Sequence, residues 1–426
     1  MKRRNQISLI LLLFVIFNCS NNSSITDNET KDPVLSEEIE VYVPNKFQNG
    51  LVLLIENGQP NAYLVNKEGE CLFNWFFNKN MGNDLELLPD GRVIGMFKVD
   101  NPAISAGGVG GIVRIINPDM SIDWEYEYSS STHIAHHDVE LLPNGHVLIL
   151  TWESINVALA QQSGVQTTTD IIPEKIIEVN PSTDQIVWEW SSWNHIIQDI
   201  DSNLPNYGIL ANNPQLININ YANNGSGDIM HANSIDYDVN KDIIYMSVNF
   251  YNEVWVIDHS TTTVEATGTT GGNYDKGGDL IYRFGNPLAY NNTQGTPLFD
   301  AIHFANLLEN GVPGEGNILI YGNGKTAEQS TIYELDIPDN FNLVANTNNE
   351  PNVVWSFTDS NLYFPRLGGA VRLSNGNTLI CEPDYGYWEV TPNNEVVWKY
   401  KGTGNFWRGY FYNLDFTGLN NLGLVF

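Results

Sequence analysis

One phrase recurs six times along this chain: an Asn-Gly or Asp-Gly type turn, a short apolar strand, a second strand, a turn, and a third strand carrying an aromatic. A unit that small cannot bury both of its faces and must stack on its neighbours, which is the condition that produces propellers. The opening strands begin at Asn49-Gly50, Asp90-Gly91, Asn144-Gly145, Asp242, Gly316-Asn317 and Asn375-Gly376. The closing aromatics are Trp75, Trp124, Trp188, Tyr282, Trp355 and Trp398. Ordinary antiparallel sandwiches do not repeat an aromatic at the end of every third strand. The expectation is an all-β fold, a six-bladed β-propeller over residues 46–426, with residues 401–426 running back beside the first blade. The stretches 191–226 and 285–314 are long enough to be loops arching over one face.

Before the repeats, Lys2, Arg3 and Arg4 precede an apolar stretch from Ile7 to Phe17, and Cys19 closes it. The stretch is shorter than the roughly 20 residues a spanning helix needs, so it reads as an export signal rather than an anchor. With the cysteine it resembles a bacterial lipoprotein signal: residues 1–19 are the signal, Cys19 the lipidated residue, and residues 20–45 a flexible tether. The expected location is outside the cytoplasm, periplasmic or on the cell surface, held to an outer membrane through the lipid. With 20 basic against 50 acidic side chains, the formal charge of −30 repels nucleic acid, which is not expected as a partner. Cys71 and Cys381 read as reduced core thiols rather than a bridge.

Three of the eight histidines fall in one slot of the repeat. His136-His137-Asp138 precedes the third turn, His303 precedes the fifth with the same spacing, and His231-Ala232-Asn233 stands ahead of the fourth opening strand. Residues entering a blade beside its innermost strands face the central axis, so equivalent slots point at one funnel. Asn83-Asp84 and Gly368-Gly369 occupy the slot in the second and sixth repeats, so histidine there is no requirement of the blade. His133, His146, His195 and His259 have no such relation and read as surface or packing residues. Convergent neutral imidazoles suit either a three-ligand metal site or covalent catalysis in which one ring carries a transferred group. No HxH, HExxH or CxxC pair accompanies them.

Four phrases taken together narrow this further: His136-His137-Asp138 with Leu142-Pro143-Asn144-Gly145, His231 to Tyr237, Gly278 to Pro287, and Pro313 to Leu319. In order and spacing they resemble the bacterial arylsulfotransferases, over roughly residues 48–415. The resemblance implies a six-bladed propeller that moves a sulfuryl group from a phenolic sulfate ester to another phenol, with no nucleotide donor and no cofactor. It implies that His303 is the nucleophile that becomes sulfated. His231 and Asn233 would bind the sulfuryl oxygens and assist proton transfer, and His137 would line the same pocket, with His136 as a substrate-binding residue beside it. The partners so implied are a small aryl sulfate and a phenol.

Two departures stand out. The family carries an arginine clamp on the strand after His231, where this chain reads Met246-Ser247-Val248-Asn249, so Asn249 occupies the substrate-binding place of the cation. Around the nucleophile the family favours Gln-His-Asp-Ala, and here the run is Ile302-His303-Phe304-Ala305, without the polar neighbours that would orient the ring. Arg283, Lys325, Arg366 and Arg408 are the candidates for a replacement charge. No separate N-terminal β-domain of the kind some members carry is recognised. The readings left open are a sulfotransferase, a ligand-binding propeller of the same fold that has lost turnover, and a metal-dependent hydrolase.

Overall fold

A computed structural model describes residues 33–222 and 225–426; Cys19 and the expected signal lie outside them. The fold is all-β with a propeller-like arrangement of sheets and only short helices. Four of the sheets have four or five strands, one has eight, and a two-stranded parallel pair joins Ile196–Ile197 to Ile217–Asn218. The eight-stranded sheet consists of two antiparallel runs that meet at one parallel bridge, Asn83 with His137.

Each run has four strands where the repeat predicts three. The extra strand is the one ahead of the turn: Met81–Leu87, His133–Leu141, Ala232–Asp238, Ile302–Leu307, Gly369–Arg372 and Phe406–Tyr412; His137 and His303 lie on it and His231 stands just before it. The register of the first four of these slips at a bulge. Bulges interrupt the two-residue alternation by which a strand is recognised and turn side chains off the sheet plane.

Strands between the edges, such as Ile243–Val248 and Glu253–Asp258, are buried at every residue because sheets cover both faces. Outer strands alternate instead, as Ile122–Glu127 does around Trp124. The closing aromatics fill the gaps between sheets: Trp75, Trp124, Trp188, Tyr282 and Trp398 are buried and Trp355 is half-buried.

Both chain ends contribute strands. Phe406–Tyr412 pairs with Leu51–Glu56 as the first strand of the first sheet, where the sequence places a returning segment. Ile39–Tyr42 adds a fifth strand outside Val396–Lys401, so the folded part begins before residue 46, the start expected from the sequence. Leu379, Cys381, Tyr387 and Trp398 pack on Val52, Leu54 and Val65, joining the last sheet to the first. Cys71 and Cys381 are not bridged. The stretch 191–226 is no bare loop: Ile196, Leu210, Ile217 and Ile219 are buried.

Candidate functional site

Backbone geometry brings the histidines together. His137 (φ 56°) and His231 (φ 54°) both occupy the left-handed region, which costs a non-glycine residue of order 1 kcal/mol and is found where a side chain must be aimed. Their rings lie 4.9 Å apart, edge to face. Trp407, on the strand from the C-terminal end, stands between the third histidine and this pair: its ring is 5.7 Å from His137 and 6.2 Å from His303.

Each imidazole has its own support. His231 Nδ1 is 2.6 Å from Asp228 Oδ2, and the ring stacks on Phe250 at 4.8 Å. At 17% side-chain exposure, His231 reaches solvent, while His136, His137 and His303 are buried. His136 lies flat on Trp152 at 3.7 Å, with Nε2 2.9 Å from Glu174 Oε2 and Nδ1 2.7 Å from Nδ1 of His137. His136, expected to bind substrate, is at this position buried and in contact with His137 through Nδ1. Glu174 in turn accepts from the Trp152 indole N–H and the Ala232 amide. On the other side, His137 lies against the Gly108 backbone, where no side chain fits.

His303 is held at both nitrogens. Nδ1 is 2.7 Å from Asn323 Oδ1, and the Leu367 amide donates to Nε2 at 3.1 Å. Asn323 therefore replaces the missing polar neighbours as the partner that orients the ring. In sequence it sits within Gly322-Asn323-Gly324 and reads as a turn residue. Burial pulls the His303 pKa down to about 3 despite the Asn323 hydrogen bond, with His231, Lys325 and Arg408 adding repulsion. Burial likewise holds His137 and His136 well below the ordinary histidine value. At neutral pH His303 and His137 are uncharged, as a nucleophilic imidazole must be.

Asn233 and Asn249 converge on one atom. Both donate through Nδ2 to the Ile302 carbonyl, at 2.7 and 2.8 Å, and Ser247 donates to Asn233 Oδ1 at 2.5 Å. Their amides brace the residue before His303. Of the candidate cations, Arg283 is consumed elsewhere, buried against Glu253 and the Pro214 and Leu216 carbonyls. Arg408 donates to Asp138 at 3.2 Å and to the Asn233 carbonyl at 3.1 Å, lies 3.7 Å from Asp84, and sits over the Phe304 ring. Lys325 and Arg366 are exposed.

Beyond Arg408 opens a cavity of about 320 Å³ lined by Asp84, Glu86, Asp138, Glu140, Asp236 and Glu309. Burial and crowding by like charge raise Glu86 and Asp236 to about 7. Sequence reasoning noted the overall acidity but not this concentration. Among the described residues, no group of three or more His, Cys, Asp or Glu side chains is arranged to hold a metal ion. Of the other histidines, His133 stacks on Tyr128 at 4.0 Å, His195 lies between Asp279 and the Ala266 carbonyl, and His146 and His259 meet the two oxygens of Glu178.

The arylsulfotransferase (ASST) family model matches residues 37–397. The chain belongs to that family. The match spans the three histidine slots and supports arylsulfotransferase-type function in general, acting on small aryl substrates. No curated protein matches the chain. Solved structures resemble it only distantly. Dihydro-heme d1 dehydrogenase NirN is 10% identical with TM-score 0.36, the alignment covering 86% of this chain and 54% of that one, so the chain spans about half its length. A putative 6-phosphogluconolactonase from Bacteroides fragilis is 12% identical with TM-score 0.44 over 91% of this chain and 100% of that one. The WD40 domain of Toxoplasma gondii coronin is 8% identical with TM-score 0.41 over 89% and 75%. Among the described residues, no helix is long and apolar enough to cross a membrane.

Proposed function

We propose that this arylsulfotransferase-family chain transfers a sulfuryl group from an aryl sulfate to a phenol by double displacement through His303. The observation that carries the reading is a buried His303 whose Nε2 accepts from the Leu367 amide, with Trp407 between it and the pair His137 and His231. In the first half, Nε2 exchanges its Leu367 hydrogen bond for sulfur. The N–S bond forms as the S–O(aryl) bond breaks, and the aryloxide leaves with the bonding pair and takes a proton from protonated His231. In the second half, His231 removes the acceptor's proton, the new O–S bond forms, and the N–S pair returns to Nε2. Negative charge spreads over the sulfuryl oxygens during both steps, so fixed donors near them lower the barrier. Of the candidate cations, Lys325 and Arg408 are the ones whose charge acts on His303.

We infer six blades for the same chain, counting the eight-stranded sheet as its two four-stranded runs. This is supported by the separate clusters that join each run to the next and the last to the first. Export and lipidation at Cys19 remain part of the proposal, tested by fatty-acid labelling of wild type and Cys19→Ala in a bacterial host.

The enzymatic test is incubation with a chromogenic aryl sulfate and a phenol acceptor. Phenol release, a sulfated peptide containing His303, and loss of at least about a thousandfold in rate for His303→Ala are expected. Release that survives His303→Ala refutes the mechanism. A second reading, ligand binding without turnover, draws on one observation: Asn249 fills the clamp position and its amide is spent on the Ile302 carbonyl. If Asn249→Arg creates transfer activity where wild type has none, this second reading replaces the first.

A further inference from the structure

Both nitrogens of His303 are tied to one short segment, Phe364 to Leu367. The Leu367 amide meets Nε2 directly, and Asn323 links Nδ1 to the carbonyls of the same segment. The direction of each bond follows from Asn323. Its Nδ2 donates to the Phe364 and Leu367 carbonyls, both at 2.9 Å, so its amide oxygen faces the imidazole. An amide oxygen only accepts, and a neutral imidazole has a single N–H. Nδ1 therefore carries the hydrogen and Nε2 the lone pair, in agreement with the N–H that Leu367 directs at Nε2. Asn323 is itself fixed: fully buried, its amide N–H donates to the Ala301 carbonyl at 2.9 Å and its carbonyl accepts from Ser330 Oγ at 3.0 Å.

We propose that Asn323 is the positioning residue that selects which nitrogen of His303 is free to react. It does so by locking the Nδ1–H tautomer and the plane of the ring. The proposal rests on the sulfuryl-transfer reading for its consequence but not for its geometry. With sulfur on Nε2 the ring becomes cationic while keeping its Nδ1–H, and the Asn323 oxygen stays in place to accept from it. No proton has to leave His303 in either half-reaction. Without Asn323, the Leu367 N–H alone would oppose the tautomer that puts the hydrogen on the attacking atom. The groups whose charge acts on His303 are His231, Lys325 and Arg408, while the hydrogen bond at Nδ1 is made by Asn323.

The test uses the full chain labelled with ¹⁵N-histidine and long-range ¹H–¹⁵N correlation at pH 7, with His303→Ala assigning the signal. Wild type is expected to show the Nδ1–H form. Asn323→Ala, or Asn323→Ser if the alanine variant does not fold, is expected to shift the ring toward Nε2–H. Asn323→Asp keeps an acceptor opposite Nδ1 and is expected to retain the wild-type form. Turnover of an aryl sulfate should fall about 10- to 100-fold in kcat for Asn323→Ala with KM for the donor little changed, and recover in part in Asn323→Asp. An Nε2–H ring in wild type, or an undiminished Nδ1–H form in folded Asn323→Ala, overturns the proposal. Absence of transfer in every variant while the tautomer shifts as expected sinks the sulfotransferase reading and leaves the role of Asn323 standing.

Discussion

The carboxylate of Asp228 sits 2.6 Å from Nδ1 of His231, three residues ahead of it in the chain. A carboxylate on one ring nitrogen fixes the hydrogen there and leaves the other free to accept a proton. It also stabilises the imidazolium that forms when His231 takes that proton. Asp228→Asn keeps the shape and removes the charge. Steady-state kinetics should show kcat lowered about 10- to 100-fold with donor KM within a few-fold of wild type, because the proton shuttle and not substrate binding is weakened.

A Cβ at Gly108 would stand 2.0 Å from His137 Nε2, and the residue has φ +82°. His137 cannot retreat, since its other face meets His136 and Trp407. Gly108→Ala should therefore displace the ring and add left-handed strain, destabilising the fold by about 2 kcal/mol in urea titration. Activity should drop more than tenfold even where the variant is fully folded.

The buried titratable groups give opposite pH dependences. Burial holds the folded-state pKa of His303 at about 3, below the ordinary 6.5, so the unfolded chain binds the extra proton in that interval. The stability tied to neutral His303 is present above 6.5 and is lost as pH falls toward 3. For Glu86, raised from 4.5 to about 7, the contribution is present below 4.5 and lost as pH rises through 7. Urea midpoints should show Glu86→Gln gaining up to about 3 kcal/mol relative to wild type between pH 4 and pH 8. His303→Asn should lose less stability than wild type on going from pH 7 to pH 4.

Removing the two chain ends should have unequal effects. Deletion from residue 406 onward takes away the first strand of the first sheet, the Tyr412 hydroxyl that accepts from the Leu87 amide, Arg408, and Trp407 between the histidines. That variant should fail to show a cooperative melt. Deletion through Tyr42 removes an outer edge strand and the Glu40 bonds to Tyr385 and Lys401, and should lower Tm by only a few degrees.

Much of the architecture was legible because stacked sheets impose a periodic demand on sequence. Turn residues recur where the chain reverses, and aromatics recur where two sheets must fill the same gap. The fourth strand of each unit was not legible, since bulges at positions such as His137 and Phe304 break the alternation that marks a strand. The slot logic picked out His137, His231 and His303 and grouped His136 with them, because adjacent residues look equivalent in one dimension. In space one ring faces the site and the other is pressed on Trp152.

The all-β repeat, the family and the three repeats that carry imidazoles are written in one dimension, because each depends on residue types at fixed intervals. How those imidazoles are held and charged follows from the folded arrangement. Asn323 lies 20 residues from His303, Glu174 lies 38 from His136, and Trp407 comes from the far end of the chain. Hydrogen-bond direction and desolvation depend on which atoms meet in a buried space, and closing the sheets around an axis joins residues whose separation along the chain holds no record of it.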